Sequence, residues 1–86
     1  MSVDEILAER DKTHGNWTKQ SQCAQSFKAV VRRSQEPMRT LSKQQWEALD
    51  MILVKASRIC SGDPNNKDHW IDIEGYARLG RDSDPL

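Results

Sequence analysis

The chain has 86 residues, of which 36% are hydrophobic and 30% charged, and its 13 basic and 13 acidic side chains give a formal net charge of +0. A chain of this length forms a single domain with a thin core, so we expect a homo-oligomer in which copies share a core. The balanced charge argues against generic nucleic-acid binding, which needs surplus basic residues. The sequence contains no run of 18 apolar residues, so no membrane span is predicted.

Four helices are predicted in chain order, which places the protein in the all-α class as a compact bundle of about four helices. A Ser-x-x-Glu and a Ser-x-x-Gln pattern form capping boxes at the start of the first and third helices. Gly15 ends the first helix, and a Gly-Asp-Pro sequence ends the third. The predicted helices span roughly 3–13, 17–35, 42–61 and 68–79. They form one domain over residues 1–80, followed by a polar tail over 81–86.

Apolar stripes on the third and fourth helices predict the core, because their spacings of three, four and seven residues share one helix face. The expected core residues are Trp46, Leu49, Leu53, Ala56, Cys60, Trp70, Ile73 and Ala77. Gly75 interrupts the fourth helix at a cost of about 1 kcal/mol relative to alanine. We therefore expect another helix or a ligand to approach its backbone.

The two cysteines, Cys23 and Cys60, stand far apart in the sequence. Without a Cys-x-x-Cys pair they predict reduced thiols rather than a zinc site. The N-terminal segment carries acidic residues early and lacks an apolar h-region, so it is unlike a signal peptide. We expect a cytoplasmic protein.

Four acidic residues form a candidate metal site. Glu47 and Asp50 lie one turn apart on the third helix, and Asp68 and Asp72 lie one turn apart on the fourth. If the helices pack antiparallel, the carboxylates could hold Mg²⁺, which could orient phosphates and activate water. Alternatively, the two aspartates near the start of the fourth helix favour its dipole and bind no metal.

A basic pair and an aromatic turn form candidate ligand sites. Lys55 and Arg58 could grip a phosphate, or they could form ion pairs across to the fourth helix. The His14-Gly15-Asn16-Trp17 turn could stack on a base and read its edge, or it could be a plain turn whose tryptophan is core. The complete predicted ligand set is His14, Asn16, Trp17, Lys55, Arg58, His69, Asp72 and Tyr76.

A basic cluster surrounds the loop between the second and third helices. It consists of Lys28, Arg32, Arg33, Arg39 and Lys43. Such a cluster could meet an acidic partner, or it could be a solvated face.

Several segments together resemble a family of small phage and prophage proteins of unknown function. They read RDKTHGNW at 10–17, ALDMI at 48–52 followed by Lys55 and by RI at 58–59, GDP at 62–64, DHWIDI at 68–73 and GYA at 75–77. More distantly, the plan resembles the nucleotide-modification-associated and MazG-like all-helical families, which handle nucleoside phosphates. The MazG-like enzymes use a Glu-Glu-x-x-Glu set on one helix and Glu-x-x-Asp on the next. Here Glu47-x-x-Asp50 matches only the second piece, and the preceding helix has no acids.

These features favour a phage accessory or anti-defence protein in the host cell cytoplasm. It would bind and sequester a nucleotide or nucleotide-derived signal without catalysis and without a cofactor. One alternative is a magnesium-dependent nucleotide pyrophosphohydrolase, which requires the four acids to converge. Another is an inhibitor that binds a host defence protein.

Overall fold

Four helices make up the computed structural model, which describes residues 1–84. They are α1 (Val3–His14), α2 (Trp17–Arg33), α3 (Lys43–Ser61) and α4 (Lys67–Asp82). These 84 residues contain no strand, so the prediction of an all-α bundle is confirmed. The last helix runs through residue 82, so the first two residues of the predicted tail are helical. Residues 85–86 of that tail lie outside the described residues.

Every helix begins at a polar side chain that accepts a hydrogen bond from an N–H of its own first turn. The four caps are Ser2, Asn16, Ser42 and Asn66. Ser42 forms the predicted capping box, because the Gln45 N–H donates to its Oγ at 3.1 Å and its own N–H donates to Gln45 Oε1 at 2.9 Å. The helix starts therefore follow from short local sequence patterns.

α3 is the central helix, packed along both α2 and α4 and touched by α1. α4 returns antiparallel to α3, since Ala48 near the start of α3 faces Gly80 near the end of α4. A Cβ at Gly80 would lie only 3.0 Å from the Ala48 Cβ. Further along the pair, Lys55 bonds to Asp72. The two helices therefore meet through small residues at one end and an ion pair nearer the other.

Few residues in the described chain are buried, and all of them are small or polar. The set is Gln20, Ala24, Ser42, Ala48, Ser57 and His69. The predicted core is wrong at Cys60, Trp70 and Ala77, which are exposed, whereas its other members are half-buried. The helices pack through small residues, which leaves no depth for a core of large side chains.

The predicted close approach at Gly75 does not occur among residues 1–84. A Cβ at Gly75 would meet nothing within 4 Å among residues 1–84, and Gly80 is the glycine at the helix contact.

The bundle measures 45 × 24 × 23 Å with a radius of gyration of 14.5 Å, against about 12 Å expected for a chain of this length. This elongation leaves several large apolar side chains in contact with solvent. They include Val3, Leu7, Trp17, Val30, Met38, Trp70, Ile71 and Leu79. In the described chain, none of the helices combines the length and the apolar character needed to cross a membrane.

Candidate functional site

The turn after α1 crosses the turn after α3 with the two backbones in direct contact. A Cβ at Gly15 would overlap the carbonyl of Ser61, and a Cβ at Gly62 would overlap the carbonyl of Thr13. Gly15 also has a φ of 85°, which side chains rarely adopt. Both positions therefore require glycine, and the crossing sets where α1 lies relative to α3.

Hydrogen bonds to the Thr13 carbonyl hold this crossing in place. The Asp63 N–H donates to it at 3.0 Å, and the His69 Nε2 lies 2.9 Å from the same oxygen. Because a carbonyl only accepts, His69 carries its proton on Nε2. His69 is 2% exposed. This predicted ligand residue is therefore buried, and its hydrogen bond to Thr13 holds the end of α1 in place.

A cleft of about 690 Å³ lies between α1, the start of α2 and the last turns of α3. Its volume falls within the range of small-molecule sites. Trp17 lines the cleft and is 71% exposed, so the alternative of a core tryptophan is wrong. The lining residues are Leu7, Arg10, Asp11, His14, Gly15, Trp17, Gln20 and Arg58.

Arg58 is the basic residue that reaches this cleft from α3. Its Nε is buried and has no hydrogen-bond partner in the part of the chain that the structure describes. Burial and, to a lesser extent, the nearby Arg10 lower its pKa, whereas Asp72 and Tyr76 oppose that shift. The guanidinium still remains charged at neutral pH. It is a cation with unused hydrogen-bonding capacity at the edge of a cleft.

The pKa of His14 is lowered in the same region by burial and, to a lesser extent, by the positive charges around it. Burial, as the largest cause, lowers its pKa from 6.5 to about 4. Neighbouring positive charge contributes further, in the order Arg58, His69, Lys55 and Arg10. The imidazole of His14 is therefore neutral at pH 7, and its ring lies 5.1 Å from that of His69, centroid to centroid.

Lys55 makes the ion pair that was the alternative to phosphate binding. Its Nζ donates to Asp72 Oδ2 at 2.8 Å, and its side chain is only 12% exposed. The hydrogen bond from Lys55 is the main cause that lowers the pKa of Asp72. Lys55 and Asp72 therefore join α3 to α4, and neither lines the cleft.

The remaining predicted ligand residues, Asn16 and Tyr76, have other positions. Asn16 caps α2 by accepting from the Lys19 N–H at 3.2 Å. Tyr76 lines a second, shallower depression of about 300 Å³ between α3 and α4. Of the predicted ligand set, the structure brings His14, Trp17 and Arg58 together in the cleft.

The four acids proposed as magnesium ligands are not brought together. Asp50 accepts from Arg32 at 3.1 Å on the side of α3 that faces α2, whereas Asp72 bonds to Lys55. Glu47 and Asp68 are exposed. Within residues 1–84, no three His, Cys, Asp or Glu side chains are grouped as a metal site requires.

The five residues of the predicted basic cluster around the α2–α3 loop have different environments in the structure. Arg32 is fixed by Asp50 and by the Trp46 ring, whose centroid lies 4.5 Å from the guanidinium carbon. Lys28 is half-buried, and the remaining members, Arg33, Arg39 and Lys43, are exposed.

On α1, sequence reasoning predicted His14 as a ligand residue but missed the other three cleft residues, Leu7, Arg10 and Asp11. Leu7, Arg10, Asp11 and His14 follow the spacing i, i+3, i+4, i+7 and therefore share one helix face. Arg10 stands one turn before His14, so that spacing was the signal that could have found it.

A family model described as a domain of unknown function (DUF6378) matches residues 2–84, and the chain therefore belongs to that family. Searches of curated proteins and of solved structures found no match to the chain.

Proposed function

We propose that this member of the DUF6378 family binds a small phosphorylated ligand of the nucleotide class in the α1–α3 cleft and holds it without catalysis. The observation that carries the proposal is that one cleft is lined by two arginines, Arg10 and Arg58, and by the exposed residue Trp17. These groups match the two halves of a nucleotide, since a guanidinium fork fits phosphate oxygens and an indole stacks on a base.

The electrostatics of the cleft support an anionic ligand. Arg58 is only partly satisfied by the described residues, and positive charge around His14 helps to lower its pKa. The oxygens of a phosphate would accept hydrogen bonds from Arg10 and Arg58 in this cleft. Such charge-assisted hydrogen bonds are stronger than those between neutral groups. The neutral imidazole of His14 can accept or donate a hydrogen bond to a base edge at the same time.

The carboxylates support sequestration rather than hydrolysis. A MazG-like mechanism would need Asp50 and Asp72 free to share a magnesium ion. Instead, Arg32 binds Asp50 and Lys55 binds Asp72, on different sides of α3. The resemblance to phage and prophage proteins supports a role in the host cytoplasm, where removing a nucleotide-derived signal would blunt a defence response.

One incubation tests binding and catalysis together. Purified protein and Mg²⁺ are mixed with nucleoside mono-, di- and triphosphates and with cyclic nucleotides, the protein is removed by filtration, and the filtrate is analysed by chromatography. A parallel sample is heat-denatured before filtration. We expect one compound to disappear from the filtrate and to return intact after heating. A compound converted to product contradicts the absence of catalysis, and a panel that stays entirely free contradicts nucleotide binding.

Two variants test whether the ligand binds in the α1–α3 cleft. Arg10→Gln and Trp17→Ala change exposed side chains, so neither should unfold the protein. We expect each to weaken binding by roughly tenfold or more, the scale of one charge-assisted hydrogen bond or one base stack. The matched control is Arg33→Gln, an exposed arginine outside the cleft lining, which should leave affinity unchanged. Equal losses in all three variants would place the ligand elsewhere.

A further inference from the structure

The face of α4 that points away from α3 carries an apolar stripe with a glycine at its centre. Ile71 and Leu79 are 58% and 65% exposed, and Gly75 lies midway between them, one turn from each. Glu74 and Arg78 lie beside this row of three residues, with side chains 74% and 67% exposed. We call all five residues, Ile71, Glu74, Gly75, Arg78 and Leu79, the outer stripe of α4. They take no part in the cleft.

We propose that the outer stripe of α4 binds the same stripe of a second copy of this chain, with the two helices antiparallel and a twofold axis passing beside Gly75. Such a dimer leaves the cleft open and forms whatever the cleft binds.

Twofold symmetry makes the stripe complementary to itself. In an antiparallel pair centred on Gly75, positions equally distant from the centre meet. Ile71 of each copy therefore lies opposite Leu79 of the other copy. Residues spaced i, i+4 and i+8 form a ridge of the kind that packs against a second helix. The glycine lets the two backbones approach closely at the crossing point.

Charge selects the antiparallel direction over the parallel one. Glu74 and Arg78 flank the same side of the stripe and form only a weak ion pair within the helix, at 4.0 Å. In the antiparallel pair each Glu74 is offset by about 3 Å along the axis from Arg78 of the other copy at 1.5 Å rise per residue, so two such attractive contacts form against one Glu74–Glu74 contact at the same offset. A parallel twofold pair places the two groups on opposite sides of the contact, where no such bridge forms.

The glycine is the observation that distinguishes an interface from a solvated face. Gly75 occupies an exposed helix interior at a cost of about 1 kcal/mol relative to alanine. Nothing among the described residues comes within 4 Å of where its Cβ would lie, so packing within one chain gives no reason for it. A second α4 crossing at this point does.

The area of contact sets the expected strength. α4 has 16 residues, so it spans about 24 Å. A single pair of such helices makes a small interface of the kind found in weak, concentration-dependent complexes. We therefore expect monomer and dimer to exchange across micromolar concentrations.

Sedimentation velocity over a concentration series tests the stripe. We expect the wild-type mass to rise from one copy to two, and Gly75→Gln to weaken dimerisation at least about tenfold. Within the monomer the same substitution removes a helix-breaking glycine and meets no neighbour, so the melting temperature of the dilute protein should rise. This combination separates loss of an interface from loss of folding.

A charge exchange and a control complete the test. Glu74→Arg should weaken the dimer, and adding Arg78→Glu should restore it. Met38→Gln changes the 94% exposed side chain of the α2–α3 loop and should have no effect. A single-copy mass at every concentration overturns the proposal, as does a dimer whose dissociation constant is unchanged by Gly75→Gln.

Discussion

α4 and α1 both pack on α3, yet they are held by different means. α4 lies along α3 through side chains, from the Ala48–Gly80 contact at one end to the Lys55–Asp72 pair. α1 contributes no buried residue of its own and is anchored at its C-terminal end, where two glycine turns cross. The difference shows how so small a bundle keeps a cleft: a helix attached by backbone at one end leaves its own side chains free to line an opening.

The largest expected effect comes from breaking the attachment of α1. Gly15→Ala introduces a Cβ that overlaps the Ser61 carbonyl and imposes an unfavourable φ. We expect a loss of about 3 kcal/mol in the free energy of unfolding, measured by urea denaturation. The matched control is Gly75→Ala in dilute protein, which should gain about 1 kcal/mol instead. Equal stability of the two variants would mean that the crossing of the two turns is not required.

The contact between α3 and α4 should be the next most sensitive. Ala48→Leu forces a larger side chain against Gly80, and overpacking of this kind costs about 1–3 kcal/mol. Ala29→Leu is the control, because Ala29 is exposed on α2. Denaturant melts that show the same stability for both variants would indicate that α4 can shift away from α3 without cost.

The ion pair between α3 and α4 should have a smaller effect. Lys55→Met removes the partner of Asp72, whose side chain is 43% exposed, so solvent screening should keep the loss of stability below that of Ala48→Leu. Because the pKa of Asp72 is lowered in the folded state, the pair contributes above the unfolded pKa and is lost as pH falls through the folded one. The stability difference between wild type and variant should therefore shrink in acid. Lys67→Met, at an exposed lysine, should show neither effect.

The smallest effect at neutral pH belongs to His14, at the junction of the two regions. Its pKa falls from 6.5 to about 4 on folding, so between these values the unfolded chain binds more protons than the folded one. The free energy of unfolding should then be fully retained above pH 6.5 and decline as pH drops toward 4. His14→Gln should flatten that part of the profile in urea melts at several pH values. A variant with the same decline as wild type would assign it to other groups.

Local sequence patterns predicted the helices well and their buried faces poorly. Capping residues such as Ser42 act within their own turn, so helix starts need no tertiary information. Burial was inferred from the helical spacing of apolar residues, and that rule failed at Cys60, Trp70 and Ala77 because the buried contacts are made by small and polar side chains. Ala48 and Ser57 are buried, whereas Trp70 is exposed and donates its Nε1–H to the Pro64 carbonyl at 2.8 Å.

The candidate site was predicted in part for a related reason. His14, Trp17 and Arg58 were recognised by chemical type, and the structure places them in one cleft. Arg10 was missed because its role depends on how α1 meets α3. That meeting is governed by Gly15 and Gly62, which lie 47 positions apart in the sequence and carry no side-chain pattern to connect them.

The single-ended anchoring of α1 also has a consequence for local opening. Contacts between α3 and α4 are close in sequence, whereas the bonds from Thr13 to Asp63 and His69 bridge some fifty residues. We therefore expect α1 to open locally when those few bonds break, while α2, α3 and α4 stay packed. Its amide hydrogens should exchange with deuterium by this partial opening, well before those of α3, and a ligand that bridges α1 and α3 should slow that exchange.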